Sequence, residues 1–146
     1  MASCLEIGAR AAEASESVYS LLYQFGEKLG MAFQIRDDVL DFVQTSNQLG
    51  KPAGNDLGSG QVTLPVLYAL QDNSCASIIR SIHADSKPEE LQAAIDAISN
   101  SDALAKTEAL SNQYLTEAQS IIEQLVDFPA HRDLQALLNY FSGRDY

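Results

Sequence analysis

Three aspartates stand close together in the first third of the chain, within the run Phe33–Asp41. On an α-helix, Asp37 and Asp41 lie on one face one turn apart, and Gln34 precedes Asp37 on that face. Asp38 lies about a quarter-turn aside. Like charges at this spacing destabilise a helix by about 0.2–0.5 kcal/mol, and the helix dipole disfavours carboxylates near a C-terminus. Both effects favour a bound cation at this position.

The type of side chain in this acidic run indicates which cation it would hold. The three aspartates, Asp37, Asp38 and Asp41, offer only oxygen atoms, and neither Cys nor His lies nearby. Oxygen donors suit Mg²⁺ bound through a few carboxylates, retained waters and a phosphate, and they suit Zn²⁺ poorly. The alternative is a solvated acidic face on a surface helix, which needs no ligand.

A polar, glycine-rich segment follows the acidic run. Residues 44–60 contain Lys51 and four glycines, Gly50, Gly54, Gly58 and Gly60. A connection of this length in a compact domain is usually functional. Lys51 would contact a phosphate oxygen while Mg²⁺ links that phosphate to Asp37. The segment has no GxxxxGK[ST] pattern, so it is not a P-loop. By itself, it is also compatible with a flexible connector.

Hydrophobic spacing predicts the helices that position these residues. The longest is predicted over residues 16–43, where apolar residues recur every three to four positions. Its predicted buried stripe is Val18, Leu22, Phe25, Leu29, Ala32, Leu40 and Val43. Other helices are predicted over 4–14, 63–70, 75–83, 86–98, 101–126 and from 129 onward, with Ser86 as a cap and Glu89 completing a capping box.

The chain is predicted to be all-α, because no segment shows the period-2 alternation of a strand. No internal repeat and no linker divides it, so residues 1–146 are predicted to form a single all-α unit.

The sequence has 9 basic and 20 acidic residues and a net charge of −11. This balance argues against binding to nucleic acid or to an anionic membrane surface. No apolar run is long enough to cross a bilayer and no signal peptide is visible, so a cytoplasmic location is expected.

Three runs of the sequence together resemble one enzyme family. They are Gly30–Phe42, Leu49–Leu57 and Thr63–Leu70. In this order and spacing they closely resemble the trans-isoprenyl diphosphate synthases, or polyprenyl synthetases, whose second aspartate-rich motif is FQxxDDxxD. The resemblance extends over essentially the whole chain and corresponds to the C-terminal half of the family's domain. It implies half of an isoprenoid-synthase-type fold, an antiparallel all-α helical bundle around a deep cavity.

The resemblance also implies a reaction and a set of residue roles. Members of the family condense an allylic diphosphate with isopentenyl diphosphate to make geranylgeranyl or longer diphosphates, using Mg²⁺ held by two facing aspartate-rich motifs. The implied roles are Mg²⁺ binding and catalysis for Asp37, Asp38 and Asp41, catalysis and diphosphate binding for Lys51, diphosphate binding for Gln34, and contact with the isoprenyl group for Phe33.

The sequence departs from the family pattern in ways that bear on activity. The family's first motif, DDxxD, is absent, and Gln61 stands where the family has a second loop lysine. We therefore expect the isolated chain to be inactive or nearly so, because both substrates must be held in register. The expected partner is an N-terminal half, a full synthase subunit or a second copy of the chain. Two alternatives stay open: a non-catalytic helical subunit that modulates a full synthase, and a plain helical scaffold.

Overall fold

The structure is a computed structural model that describes residues 1–43, 54–83 and 85–143. Every regular element in these ranges is helical, which confirms the all-α prediction. The helices are α1 (Ala2–Ala11), α2 (Glu16–Val43), α3 (Asn55–Gly58), α4 (Leu64–Ala69), α5 (Asn73–Ile79), α6 (Pro88–Ser99), α7 (Ala103–Ile122), a 3-10 turn (Glu123–Leu125) and α8 (His131–Ser142). No helix in the described ranges is both long enough and apolar enough to span a membrane.

Helix α2 has the predicted bounds but not the whole of the predicted buried stripe. Its buried residues are Leu22, Phe25, Leu29, Ala32, Ile35, Val39 and Phe42. Val18 and Leu40 are only half-buried and Val43 is 40% exposed, so the prediction was wrong for these three positions. Each four-residue step rotates a helical stripe by about 40°. A three-residue step from Ala32 to Ile35 turns the stripe back towards the buried side of the helix, whereas another step of four would have turned it further away.

Other predicted boundaries also differ from the structure: the helix predicted over 75–83 is Asn73–Ile79, and the one predicted over 101–126 is Ala103–Ile122. The first helix ends at Ala11, and Glu13 follows it with a positive φ of 57°. Helix α6 is capped by Lys87 rather than Ser86, and the carboxylate of Glu90, not Glu89, accepts the Lys87 N–H at 2.8 Å. Pro88 takes the first helical position, where its missing N–H costs nothing, and this places the cap at Lys87.

The described chain falls into two compact units, each with its own core. The first unit comprises Met1–Gln34 together with the chain from Leu110 onward, and the second comprises Ile35–Ala109. The core of the first unit consists of Ala9, Leu22, Phe25, Leu29, Ala118, Ile121, Ile122, Leu125, Leu134 and Leu138. The core of the second consists of Phe42, Leu57, Val66, Ala69, Cys75, Ile79, Ala94, Ile95, Ile98 and Ala103. The assignment of residues 1–146 to a single domain stays a prediction.

A buried hydroxyl links two helices within the first unit. Ser111 of α7 is 1% exposed, and its Oγ donates a hydrogen bond of 3.0 Å to the carbonyl oxygen of Ala32 in α2. A buried polar group needs such a partner, since leaving it unpaired carries the full cost of its desolvation. Ser111 therefore fixes α7 against α2 one residue before Phe33.

Replacing Ser111 with alanine is expected to lower the free energy of unfolding by about 1 kcal/mol, because one net buried hydrogen bond is lost. Urea unfolding followed by circular dichroism would measure the change. The matched control is Ser120→Ala on the same helix, where the exposed hydroxyl bonds only to the Thr116 carbonyl of its own helix. Equal effects of the two substitutions would contradict a specific role for the Ser111 contact.

Candidate functional site

The three predicted metal ligands lie in the last two turns of α2, in the second unit. Asp37, Asp38 and Asp41 are all half-buried. They flank the buried stripe formed by Ile35, Val39 and Phe42, and Phe42 anchors this end of the helix in the core of the second unit. The carboxylates are therefore carried on a rigid element, which is the arrangement that a binding site requires.

Asp41 accepts hydrogen bonds from two backbone N–H groups in the later part of the glycine-rich segment. The N–H of Gly54 donates to the Asp41 carbonyl oxygen at 2.8 Å, and the N–H of Asp56 donates to Asp41 Oδ2 at 3.1 Å. Gly54 has a φ of 68°, and a Cβ built there would lie 2.5 Å from the Ile95 side chain. Glycine is required at this position on both grounds. The second glycine of the loop thus allows the chain to return close to Asp41.

Asp38 lies next to the start of α4. Its Oδ2 accepts a long hydrogen bond of 3.5 Å from the N–H of Leu64, the first residue of that helix. The first N–H groups of a helix have no partner within the helix itself. Asp38 and Asp41 therefore both face backbone N–H donors from later parts of the chain, through the contacts with Leu64 and Asp56.

The electrostatic environment of Asp41 disfavours its ionised form. Burial raises the pKa of the Asp41 carboxyl, and the negative charges of Asp56 and Asp38 raise it further. Hydrogen bonds from the backbone N–H groups of Asp56 and Asn55 act in the opposite direction and lower this pKa. Desolvation and like charges both penalise a carboxylate. A cation near Asp41 would reverse this penalty.

Asp56 is a residue that the sequence analysis did not identify. It is half-buried in α3, and its charge acts on Asp41. The signal was available, since Asp56 is the acidic residue of the glycine-rich segment and follows Gly54 by two positions. What the sequence did not reveal is the return of this segment to α2. The structure thus adds a fourth carboxylate to the acidic group.

The remaining predicted residues are placed differently. Phe33 and Gln34 belong to the first unit, where Phe33 is half-buried and Gln34 is exposed. The ring of Phe33 packs edge-on against Phe141 of α8, with centroids 5.3 Å apart and an interplanar angle of 80°. Lys51 lies outside the described residues.

The donor set fits Mg²⁺ if the ion is completed by other oxygens. Among the described residues, no three His, Cys, Asp or Glu side chains come together in a group able to hold a metal by themselves. Mg²⁺ in proteins is usually bound through one or two carboxylates, with waters and substrate phosphates filling the other positions. The half-buried carboxylates of Asp38 and Asp41 supply this kind of incomplete oxygen set.

A cavity of about 400 Å³ also lies in the second unit, but its described lining residues are different from those of this acidic group. Its walls are mainly apolar and include Leu57, Val62, Val66, Leu70, Ile79 and Ile82. Among the residues that the structure describes, none of the predicted site residues and no carboxylate lines it. The described lining of the cavity therefore adds no metal ligand to the candidate site.

Comparison with known proteins identifies the family. A sequence model of the polyprenyl synthetase family matches residues 1–99, which is more than half of the chain. The chain belongs to the polyprenyl synthetase family. It is 46% identical over 145 residues to heptaprenyl diphosphate synthase component 2 of Geobacillus stearothermophilus, and 39% identical over 144 residues to the protein of the same name in Bacillus subtilis. Each alignment covers 99% of this chain.

The structural comparison agrees with the sequence comparison. A crystal structure of heptaprenyl diphosphate synthase from Staphylococcus aureus superposes with a TM-score of 0.90 and 34% identity, over 97% of this chain and 45% of that one. The polyprenyl synthetase fold predicted from the motifs is therefore confirmed. The chain spans about half the length of the relatives it matches, since it covers 45% of the Geobacillus protein and 41% of the Bacillus protein.

In the absence of divalent metal, Asp41→Asn is expected to raise the melting temperature at pH 7. The pKa of Asp41 is higher in the folded state than in the unfolded state. Protonated Asp41 therefore stabilises the fold relative to the ionised form, and this stabilisation is lost as the pH rises through the folded-state pKa. Asparagine stays neutral and keeps an oxygen that can accept the Asp56 N–H. The gain is expected to shrink as pH falls towards about 3.9, the ordinary carboxyl pKa.

Asp72→Asn is the matched control for this measurement. Ser74 donates its side-chain O–H at 2.6 Å and its backbone N–H at 2.8 Å to Asp72 Oδ1, and these bonds lower the pKa of Asp72. The ionised form is stabilising there above the unfolded-state pKa, and its contribution is lost as pH falls. The same substitution is therefore expected to give no gain at pH 7. Calorimetry in EDTA would compare them, and a lower melting temperature for Asp41→Asn at pH 7 would contradict the account.

Proposed function

We propose that this chain carries one of the two metal-binding halves of a trans-prenyltransferase active site. The reaction would join an allylic diphosphate to isopentenyl diphosphate and yield geranylgeranyl or longer polyprenyl diphosphates. The observation that carries the proposal is the 46% identity over 99% of this chain to a heptaprenyl diphosphate synthase component 2. The run Phe33–Asp41 also keeps the FQxxDDxxD pattern of the family.

In this proposal the aspartates of α2 hold the metal and the surrounding backbone orients them. Asp37, Asp38 and Asp41 would bind Mg²⁺, whose positive charge would stabilise the departing pyrophosphate. The contact of the Asp56 N–H with Asp41 fixes the direction of that carboxylate at 3.1 Å. A ligand held in this way loses little conformational freedom when the cation binds.

Three further residues would bind the allylic substrate. Lys51 would donate to a diphosphate oxygen, since its ammonium group forms charge-assisted hydrogen bonds with phosphate. Gln34 would donate its amide N–H groups to the same diphosphate. Phe33 would contact the isoprenyl group, whose apolar surface is best matched by an aromatic ring. These roles rest on the family resemblance together with the positions of the residues in the motif.

We further propose that the chain works together with a second polypeptide. The two bacterial relatives are each named component 2 of a heptaprenyl diphosphate synthase. Two facing aspartate-rich motifs are implied for catalysis, and this chain covers 45% of the Geobacillus protein. The part of such a synthase that this chain does not match would supply the DDxxD motif and the cations that hold isopentenyl diphosphate.

A non-catalytic subunit that modulates a complete synthase is the second candidate, and the name component 2 of the relatives is compatible with it. The two candidates differ in what they require of the acidic run. A catalytic half needs the carboxylates of α2 for turnover. A modulator needs only the surface that binds the synthase, so loss of one carboxylate would leave the rate of prenyl transfer unchanged.

The test is prenyl transfer from farnesyl diphosphate to isopentenyl diphosphate with Mg²⁺. We expect negligible turnover by this chain alone and clear turnover after mixing with the N-terminal half of the Geobacillus stearothermophilus relative. Asp37→Asn in this chain is expected to lower the rate of the mixture on the order of 100-fold or more, as for loss of one electrostatic stabiliser. Asp96→Asn, at an exposed position of α6, is the matched control and should have no effect.

The two halves of the relative itself provide the positive control for assembly. If those halves regain activity on mixing and this chain does not replace the C-terminal one, the proposed function is wrong. If this chain instead changes the rate of the complete Geobacillus protein, and Asp37→Asn does so equally, the modulating subunit is favoured.

A further inference from the structure

We propose that Phe141 is a positioning residue for the isoprenoid part of the substrate and acts by holding the ring of Phe33. This inference rests on the proposed function, in which Phe33 contacts the isoprenyl group. Phe141 lies in the last turn of α8, 100 positions beyond the end of the acidic run in the sequence. Neither its position nor its residue type singled it out in the sequence.

The geometry of the two rings is that of a specific aromatic pair. The centroids of Phe33 and Phe141 are 5.3 Å apart, and the planes make an angle of 80°. Aromatic rings prefer this edge-to-face arrangement, because the positive edge of one ring meets the negative face of the other. The preferred geometry restricts how the Phe33 ring can rotate, which an aliphatic neighbour would not do to the same extent.

Phe141 is itself fixed by the packing of its helix. Leu134 and Leu138 of α8 are buried in the core of the first unit, at 6% and 3% exposure, and Phe141 packs against that core. The positions 134, 138 and 141 lie on one face of the helix. The ring of Phe141 is therefore presented by a helix that is packed on the core of the first unit.

The backbone next to Phe33 is held as well. The carbonyl of Ala32 accepts the hydrogen bond of 3.0 Å from the buried hydroxyl of Ser111. Backbone and ring of Phe33 are thus held by two different helices of the first unit, α7 and α8. A side chain that is held in this way before the ligand arrives loses less freedom on binding, and this raises affinity.

Phe141 should influence binding of the isoprenyl chain of the ligand, whereas the aspartates, Lys51 and Gln34 would bind the diphosphate. The test measures, by isothermal titration calorimetry, the binding of farnesyl diphosphate and of inorganic pyrophosphate. Both are titrated with Mg²⁺ and without isopentenyl diphosphate into this chain assembled with the complementing N-terminal half.

Phe141→Leu keeps the apolar volume but removes the ring. We expect it to weaken farnesyl diphosphate binding roughly three- to tenfold, the range for loss of an aromatic pair, and to leave pyrophosphate binding unchanged. Phe141→Tyr keeps the ring and should bind like the unmodified chain. Phe33→Leu combined with Phe141→Leu should bind no more weakly than Phe33→Leu alone, because the two residues act through one contact.

Leu137→Ala provides the control, since Leu137 is 38% exposed on the same helix and makes no aromatic pair. Thermal unfolding of every variant establishes that the fold is retained. If Phe141→Leu binds farnesyl diphosphate normally, or if it weakens both ligands equally, the positioning role is wrong while the proposed function stands. If the unmodified assembly binds pyrophosphate but no farnesyl diphosphate, the proposed function fails and this inference fails with it.

Discussion

The accumulation of negative charge at the end of α2 is the constraint on which the candidate site depends. In the second unit, burial and the negative charges of Asp56 and Asp38 raise the pKa of Asp41. A fold selected for stability alone would have placed neutral side chains here. The structure instead offsets the repulsion with backbone N–H groups, from Asp56 to Asp41 and from Leu64 to Asp38. The remaining penalty is what a divalent cation would remove.

Gly54 of the glycine-rich segment allows the chain to return to the acidic end of α2. Gly54 adopts a positive φ of 68° at a point where a Cβ would collide with Ile95, and its N–H reaches the carbonyl of Asp41 at 2.8 Å. The chain can therefore bring Asp56 to the end of α2 within three residues. Gly54 thus lies against Ile95 of the second unit's core and also contacts the backbone of Asp41 in the candidate site.

The sequence predicted the helical elements well and their tertiary contacts poorly. The bounds of α2 followed from a regular apolar period over 28 residues, which local spacing determines. Local spacing did not determine which residues are buried near the end of α2, because Leu40 and Ile35 are equally apolar and only tertiary packing selects between them. The contact of Asp56 with Asp41 and that of Phe141 with Phe33 join residues distant in the chain. No local pattern encodes such contacts, so the family motif located the aspartates but not their neighbours.

The most direct test of the account is where a divalent cation binds when a diphosphate is present. Mn²⁺ accepts the same oxygen ligands as Mg²⁺ and broadens the NMR signals of nuclei close to it. Titration of the ¹⁵N-labelled chain with Mn²⁺ and inorganic pyrophosphate is expected to broaden the amide signals of Asp41, Asp56 and Leu64 first, and Asp37→Asn should weaken this effect. Broadening centred instead on other acidic surfaces, such as Glu89 and Glu90 at the start of α6, would contradict a metal site at the end of α2.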